Sequence, residues 1–220
     1  MDRKQRLPCA LRFSDRNRTY TRPSVNRKSL GCLLEIGETV LLTVIVFLVI
    51  QAFVVQPYRV EQISMQNTLQ DGQMVLVDKL SPHLDGYSRG DIVIFHPPAS
   101  AGEGDTPFIK RVIGVGGDVV ELVAGTVKVN GVPLDESGYV FNGQPTQPIG
   151  DQSAWVVPEG MLFVLGDHRE NSTDSRNPIL GPIAVDSVIG KAVMRYWPLS
   201  QAALLQTPDY PSIPSTVASH

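Results

Sequence analysis

Ser64 and Lys110 are the two side chains of this sequence whose types could do covalent chemistry together. Ser64 lies in the run Ile63-Ser64-Met65-Gln66-Asn67-Thr68-Leu69, and Lys110 in Phe108-Ile109-Lys110-Arg111-Val112-Ile113. A serine hydroxyl is a poor nucleophile until a base takes its proton. A lysine serves as that base only when neutral, and desolvation can bring its ordinary pKa of about 10.4 down by several units. Strand alternation puts Phe108, Lys110 and Val112 on one face, so an apolar neighbour on each side could dry the amine. Each residue also has an ordinary reading, Ser64-Met65 as a turn and Lys110 as a solvated strand lysine. Spacing alone does not choose between them.

A third polar pattern is Leu165-Gly166-Asp167-His168-Arg169-Glu170-Asn171-Ser172-Thr173-Asp174-Ser175-Arg176. It is too polar for a core strand and holds Asp167, Arg169, Asp174 and Arg176 close together, so it reads as a loop of hydrogen-bonded ion pairs. Simple structural salt bridges account for Asp167 and Arg169.

These three patterns, with Arg89-Gly90-Asp91-Ile92-Val93-Ile94-Phe95 as support, resemble the motifs of bacterial type I signal peptidases, the Ser/Lys proteases of peptidase family S26. The resemblance runs from residue 33 to about Trp197, in the family's order and at its spacing. It implies a mostly β catalytic domain, a signal-peptidase-like β-barrel and β-ribbon, preceded by one N-terminal transmembrane helix. It implies Ser64 as nucleophile and Lys110 as base, Ser172 bonded to the lysine amine, and Asp174 and Arg176 bracing the loop. The first oxyanion donor would be the Ser64 backbone N–H. The second usually stands two residues earlier, where this chain has Gln62. Neither a metal nor an organic cofactor is implied, and the substrates would be secreted preproteins with small residues before the cut.

Three positions depart from the pattern. Asn67 stands where Pro is common, Gly116 where Pro often precedes Gly-Asp, and His168 where Asn is usual. All three read as turn positions. Some relatives place His where Lys110 stands, but Lys110 fills that position here, so His83, His96 and His168 read as loop or surface residues, and their spacings match no zinc pattern.

Around these motifs the sequence alternates short β-branched runs with turn residues. Strands are expected over 74–80, 91–95, 108–115, 118–122, 127–134, 161–167 and 187–197. Asn130-Gly131 between alternating residues signals a two-residue hairpin. Residues 97–107 and much of 135–151 have loop composition, and residues 201–220 form a Pro- and Ser-rich C-terminal tail that reads as disordered after Gln206. The catalytic domain is expected over 59–200.

Composition places that domain outside the cytoplasm. The chain has 220 residues, 42 % hydrophobic, which excludes disorder throughout, and its net charge of -3 conceals a basic start. Residues 1–30 carry nine Lys or Arg against Asp2 and Asp15. Residues 39–58 then contain no charge, and 20 helical residues span roughly 30 Å, the thickness of a bilayer's hydrocarbon core. A basic arm could bind nucleic acid, but one followed at once by an apolar run reads by the positive-inside rule instead. The expected organisation is a cytoplasmic segment over 1–32, a single-pass anchor in the cell membrane over 33–58, and an extracytoplasmic domain. The partners implied are preproteins and the lipid bilayer, with no nucleic acid. A cleaved signal peptide fits less well, since the basic region is too long and no small-x-small site follows. Cys9 and Cys32 are the only cysteines, so the domain has no disulfide.

Two rival functions remain open on sequence. One is a self-cleaving repressor-type Ser/Lys protease, which the anchor disfavours. The other is a membrane-anchored β domain that binds a partner and has lost catalysis.

Overall fold

The computed structural model describes residues 27–101, 106–210 and 213–214. The chain divides into two compact units, Met1–Ile45 and Val46–His220. In the first, helix α1 (Arg27–Phe53) begins and runs on into the second. Its side chains from 35 to 48 are all exposed, among them Val40, Leu41, Leu42, Phe47 and Leu48.

Against the expectation of a spanning helix over 33–58, no helix among the described residues is long and apolar enough to cross a membrane. The helix stops at Phe53 rather than Tyr58. Pro57 has no N–H to give a helix and disfavours helical geometry in the residue before it. Val55–Arg59 instead forms strand β1, and Pro57 is tolerated there because β1 lies at the edge of its sheet. Residues 1–26 of the expected cytoplasmic segment lie outside the described residues.

The second unit is mostly β. After β1 come β2 (Met74–Asp78), the one-turn helix α2 (Ser81–Asp85), β3 (Ile92–Phe95), β4 (Phe108–Val115) and β5 (Val119–Val123). They are followed by β6 (Thr126–Val129), β7 (Val132–Pro133), β8 (Ala154–Val156), β9 (Met161–Leu165), β10 (Ile183–Ala184), β11 (Val188–Trp197) and β12 (Ala203–Leu204). Eight strands form an antiparallel sheet in the order β1-β2-β11-β3-β4-β9-β10, with β12 added to β11. β1 and β10 do not pair with each other, so the barrel-like sheet expected is an open, curled half-barrel. The smaller sheet, β7-β6-β5-β8, is the expected ribbon. Asn130 and Gly131 turn it at φ of 52° and 79°, the positive values such a hairpin needs.

Each of the seven expected runs holds a strand. Alternation sorts the apolar side chains onto two faces of the larger sheet. Ile92, Ile94 and Ile109 pack with Val60, Met65, Leu69, Val75 and Val77, while Val93, Phe95, Phe108 and Val112 pack with Leu162 and Val164. A third cluster joins Ile113, Phe163 and Leu165 to the ribbon through Val120, Val127 and Trp155.

The C-terminal segment departs from expectation. Among its described residues, Tyr210 and Ile213 pack against the third cluster. The Tyr210 and Tyr139 hydroxyls are 2.7 Å apart, and the Thr207 hydroxyl bonds Asp91 Oδ1 at 3.1 Å. Pro/Ser composition suggests disorder, but a half-buried aromatic ring with a partner for its hydroxyl is enough to hold an irregular segment.

Candidate active site

Ser64 heads a tight turn. Gln66 N donates to Ile63 O at 2.9 Å and Leu69 N to Met65 O at 2.8 Å. Burial of Met65 and Leu69 in the core pins this turn to the sheet. Asn67 sits at φ 95°, an angle closed to proline, so Asn replaces the usual Pro where the backbone turns left-handed.

Lys110 comes from β4, which lies between β3 and β9, and that central place buries seven of its eight residues. The Lys110 side chain is 1 % exposed and Ser64 6 %. Lys110 Nζ donates to Ser64 Oγ at 2.7 Å and to Ile109 O at 3.0 Å, and lies 5.0 Å from the centre of the Phe108 ring. The anticipated apolar neighbour is therefore in place. Burial pulls the amine's pKa down from 10.5 to about 8, with Asp174 and Asp167 pulling it back up. Near neutrality such an amine is partly deprotonated, and the contact can then reverse so that the hydroxyl donates to nitrogen.

The polar loop after β9 closes the site from the other side. His168 N donates to Ser64 O at 2.9 Å. Gly166 permits this approach, because a Cβ there would lie 2.6 Å from Ser64 O and 2.6 Å from Ser172 Cβ. Asp174 receives Gly166 N at 3.1 Å and forms a two-bond pair with Arg176, Nε to Oδ1 and Nη2 to Oδ2, both at 2.8 Å. Arg176 Nη2 reaches on to Arg169 O at 2.6 Å. Asp167 and Arg169 form the structural ion pairs anticipated, Asp167 with Arg111 and Arg169 with Glu136.

Ser172 is placed differently from expectation. Its Oγ is buried and has no hydrogen-bond partner among the described residues, so it makes no bond to Lys110. The buried His168 Nδ1 is likewise without a partner among those residues, its ring 4.5 Å from that of Phe141. His96 is exposed. Among the described residues no group of His, Cys, Asp or Glu could hold a metal ion.

Sequence reasoning passed over Thr68 and Arg111. Arg111 Nε and Nη2 bond Asp167 Oδ1 and Oδ2 at 2.9 and 2.7 Å, and its Nη1 bonds Gly90 O at 2.9 Å. Thr68 donates its hydroxyl to Asp167 Oδ2 and accepts from Arg111 Nη2 at 3.2 Å. Burial lowers the Arg111 pKa and pairing with Asp167 more than restores it, so the guanidinium stays charged. The turn carrying Ser64 is thus tied to the strand carrying Lys110 through one buried ion pair. The signal was an Arg next to the lysine in a strand otherwise apolar.

Two clefts meet at Ser64 and share Glu61 and Gln62. One, of about 430 Å³, has Val60, Met65, Ile94 and Ile109 in its lining. The other, of about 580 Å³, runs past Ile63, Phe108 and Ser172. Gln62 therefore lines both clefts.

Known proteins resemble this chain over most of its length. The family model described as signal peptidase, peptidase S26, matches residues 33–197. Signal peptidase I of Leptolyngbya laminosa is 36 % identical over 180 residues, covering 80 % of this chain and 85 % of that protein. Signal peptidase IB of Staphylococcus aureus is 35 % identical over 182 residues, covering 77 % and 92 %. Signal peptidase I T of Bacillus subtilis is 33 % identical over 194 residues, covering 86 % and 97 %.

Proposed function

Because this chain belongs to the signal peptidase family, peptidase S26, we propose that it removes signal peptides from secreted preproteins with Ser64 as nucleophile and Lys110 as general base. Membership makes it a serine endopeptidase, a hydrolase. The observation that carries the dyad is the 2.7 Å contact between two buried side chains, one of them an amine whose pKa burial has lowered to about 8.

Neutral Lys110 takes the Ser64 proton as Oγ attacks the carbonyl carbon. The tetrahedral oxyanion is received by the Ser64 N–H and the Gln62 side-chain amide. Collapse breaks the C–N bond, the Lys110 ammonium returns its proton to the leaving amine, and an ester on Ser64 remains. Lys110 then deprotonates the water that hydrolyses this ester, and Ser64 recovers its proton. Ser172, with its buried and unpaired hydroxyl, is assigned to hold the amine once Ser64 is acylated. Asp174 and Arg176 keep the loop carrying Ser172 in place.

The cleft lined by Val60, Met65, Ile94 and Ile109 is assigned to the small residues before the cut. The uncharged helical residues from Thr39, with their apolar side chains exposed through residue 48, are assigned to a membrane anchor. The basic start would then stay cytoplasmic and the β domain would face outward. Alkaline extraction of membranes tests the anchor, which predicts that the chain stays in the pellet. Cleavage of a preprotein by the purified chain in detergent tests the dyad. Ser64→Ala and Lys110→Ala should each abolish it, by at least about 10³-fold, and wild-type cleavage by either would reject the assignment.

A further inference from the structure

We propose that the C-terminal segment around Tyr210 is a positioning element of the active site, acting on the dyad through Arg111. The inference rests on the Ser64/Lys110 reading above. It starts from what the segment touches.

Tyr210 meets the Arg111 system at two points. Its hydroxyl lies 2.7 Å from that of Tyr139, and the Tyr139 ring lies under the Arg111 guanidinium, with Cζ 4.1 Å from the ring centre. Its ring also crowds Gly90. A Cβ on Gly90 would come within 3.3 Å of Tyr210 Cε2 and 2.8 Å of both Thr207 Cγ2 and Pro208 Cδ. Gly90 is the residue whose carbonyl accepts Arg111 Nη1. The neighbouring Asp91 takes the Thr207 hydroxyl on its side chain, and its backbone O receives Val112 N at 2.8 Å. The segment thus presses on both surfaces that cradle the guanidinium.

Arg111 in turn holds Asp167 and Thr68, and Thr68 belongs to the turn that Ser64 heads. Arg111 is also the chain neighbour of Lys110. A buried guanidinium keeps two bonds to a carboxylate in fixed geometry only while water is excluded and its stacking partner stays put. Burial has pushed the Tyr210 hydroxyl up to about 12, so it remains a neutral hydrogen-bonding group at every working pH. Tyr210 supplies the exclusion with its ring and the fixed partner with its hydroxyl. None of the segment's described residues bonds Ser64 or Lys110, so its effect falls on how well the two are aligned and not on how substrate is held.

Three forms of the full chain in detergent decide the matter: the chain ended at Gln206, Tyr210→Ala and Tyr210→Phe. Each is assayed on one preprotein with kcat expressed per titrated active site, so that molecules that have failed to fold are not counted. The shortened chain and Tyr210→Ala should lose about tenfold in kcat with KM within about twofold, as small misplacements of reacting groups do. Tyr210→Phe, which keeps the ring, should recover most of that loss. Wild-type kcat per site in Tyr210→Ala would overturn the inference, and so would a loss confined to the number of active sites. If the shortened chain yields no folded protein, the two point variants carry the decision. Cleavage by the wild-type chain that Lys110→Ala abolishes keeps the dyad intact whichever way Tyr210 falls.

Discussion

The Lys110 amine and the Ser64 hydroxyl, 46 residues apart in the chain, lie 2.7 Å apart in the fold. Neither residue's local sequence creates that contact. It depends on a strand buried on both faces and on a turn anchored by Met65 and Leu69.

Burying Lys110 works against the folded state at neutral pH. Its pKa falls from 10.5 to about 8 on folding, so between these values the unfolded chain binds more protons and stability rises with pH. The cost is complete below about pH 8 and gone above about 10.5. Lys110→Met, similar in volume and uncharged, should therefore stabilise the inactive protein at pH 7 by up to ~3 kcal/mol. Thermal unfolding at pH 7 and at pH 10.5 checks this, with the advantage expected only at the lower pH.

Asp167→Asn should be costly for a different reason. It strands the Arg111 guanidinium in the interior, and losing one partner of a buried ion pair typically costs about 3–5 kcal/mol. Asp167 also raises the Lys110 pKa, so in the surviving folded protein the alkaline rise in activity should move to lower pH. A pH profile left in place would separate Asp167 from the amine.

Gly166→Ala should act on the site rather than on the core. The added methyl would meet Ser64 O and Ser172 Cβ, each 2.6 Å away, and backbone cannot yield as a flexible side chain does. A fall in kcat of about 10²-fold is expected, as for a misplacement of about 1 Å. Steady-state kinetics on one preprotein would show it.

The legible and illegible parts of the structure divide along physical lines. Phe108–Val115 was readable because β-branched residues and turn signals mark a strand wherever it ends up in the sheet. Lys110's dryness was readable only as an option, since burial of the strand comes from β3 and β9 on either side. The helix end at Phe53 was hidden, because β1 continues the same apolar run and only Pro57 marks the break. β10 and β12 are two-residue strands, too short for any period to show. The Thr68–Asp167–Arg111 linkage joins three distant segments and leaves no local pattern. Tyr210 was read by the composition around it, when one aromatic ring with a hydroxyl partner decided the outcome.

Gln62 carries the least familiar assignment. If its amide is the second oxyanion donor, Gln62→Ala should lower kcat by about 10²–10³ with KM nearly constant, because the bond strengthens only in the transition state. Gln62→Ser should recover part of the loss. An unchanged kcat in Gln62→Ala would assign the second donor elsewhere.

The dyad is tested most directly by the pH dependence of a single turnover, with enzyme in excess over preprotein so that acylation is observed without product release. Only neutral Lys110 can take the Ser64 proton. The rate should climb about tenfold per pH unit below the amine's pKa and level off above about pH 8, the value to which burial has brought it. A rate independent of pH from 5 to 9 would contradict the assignment of Lys110 as the base.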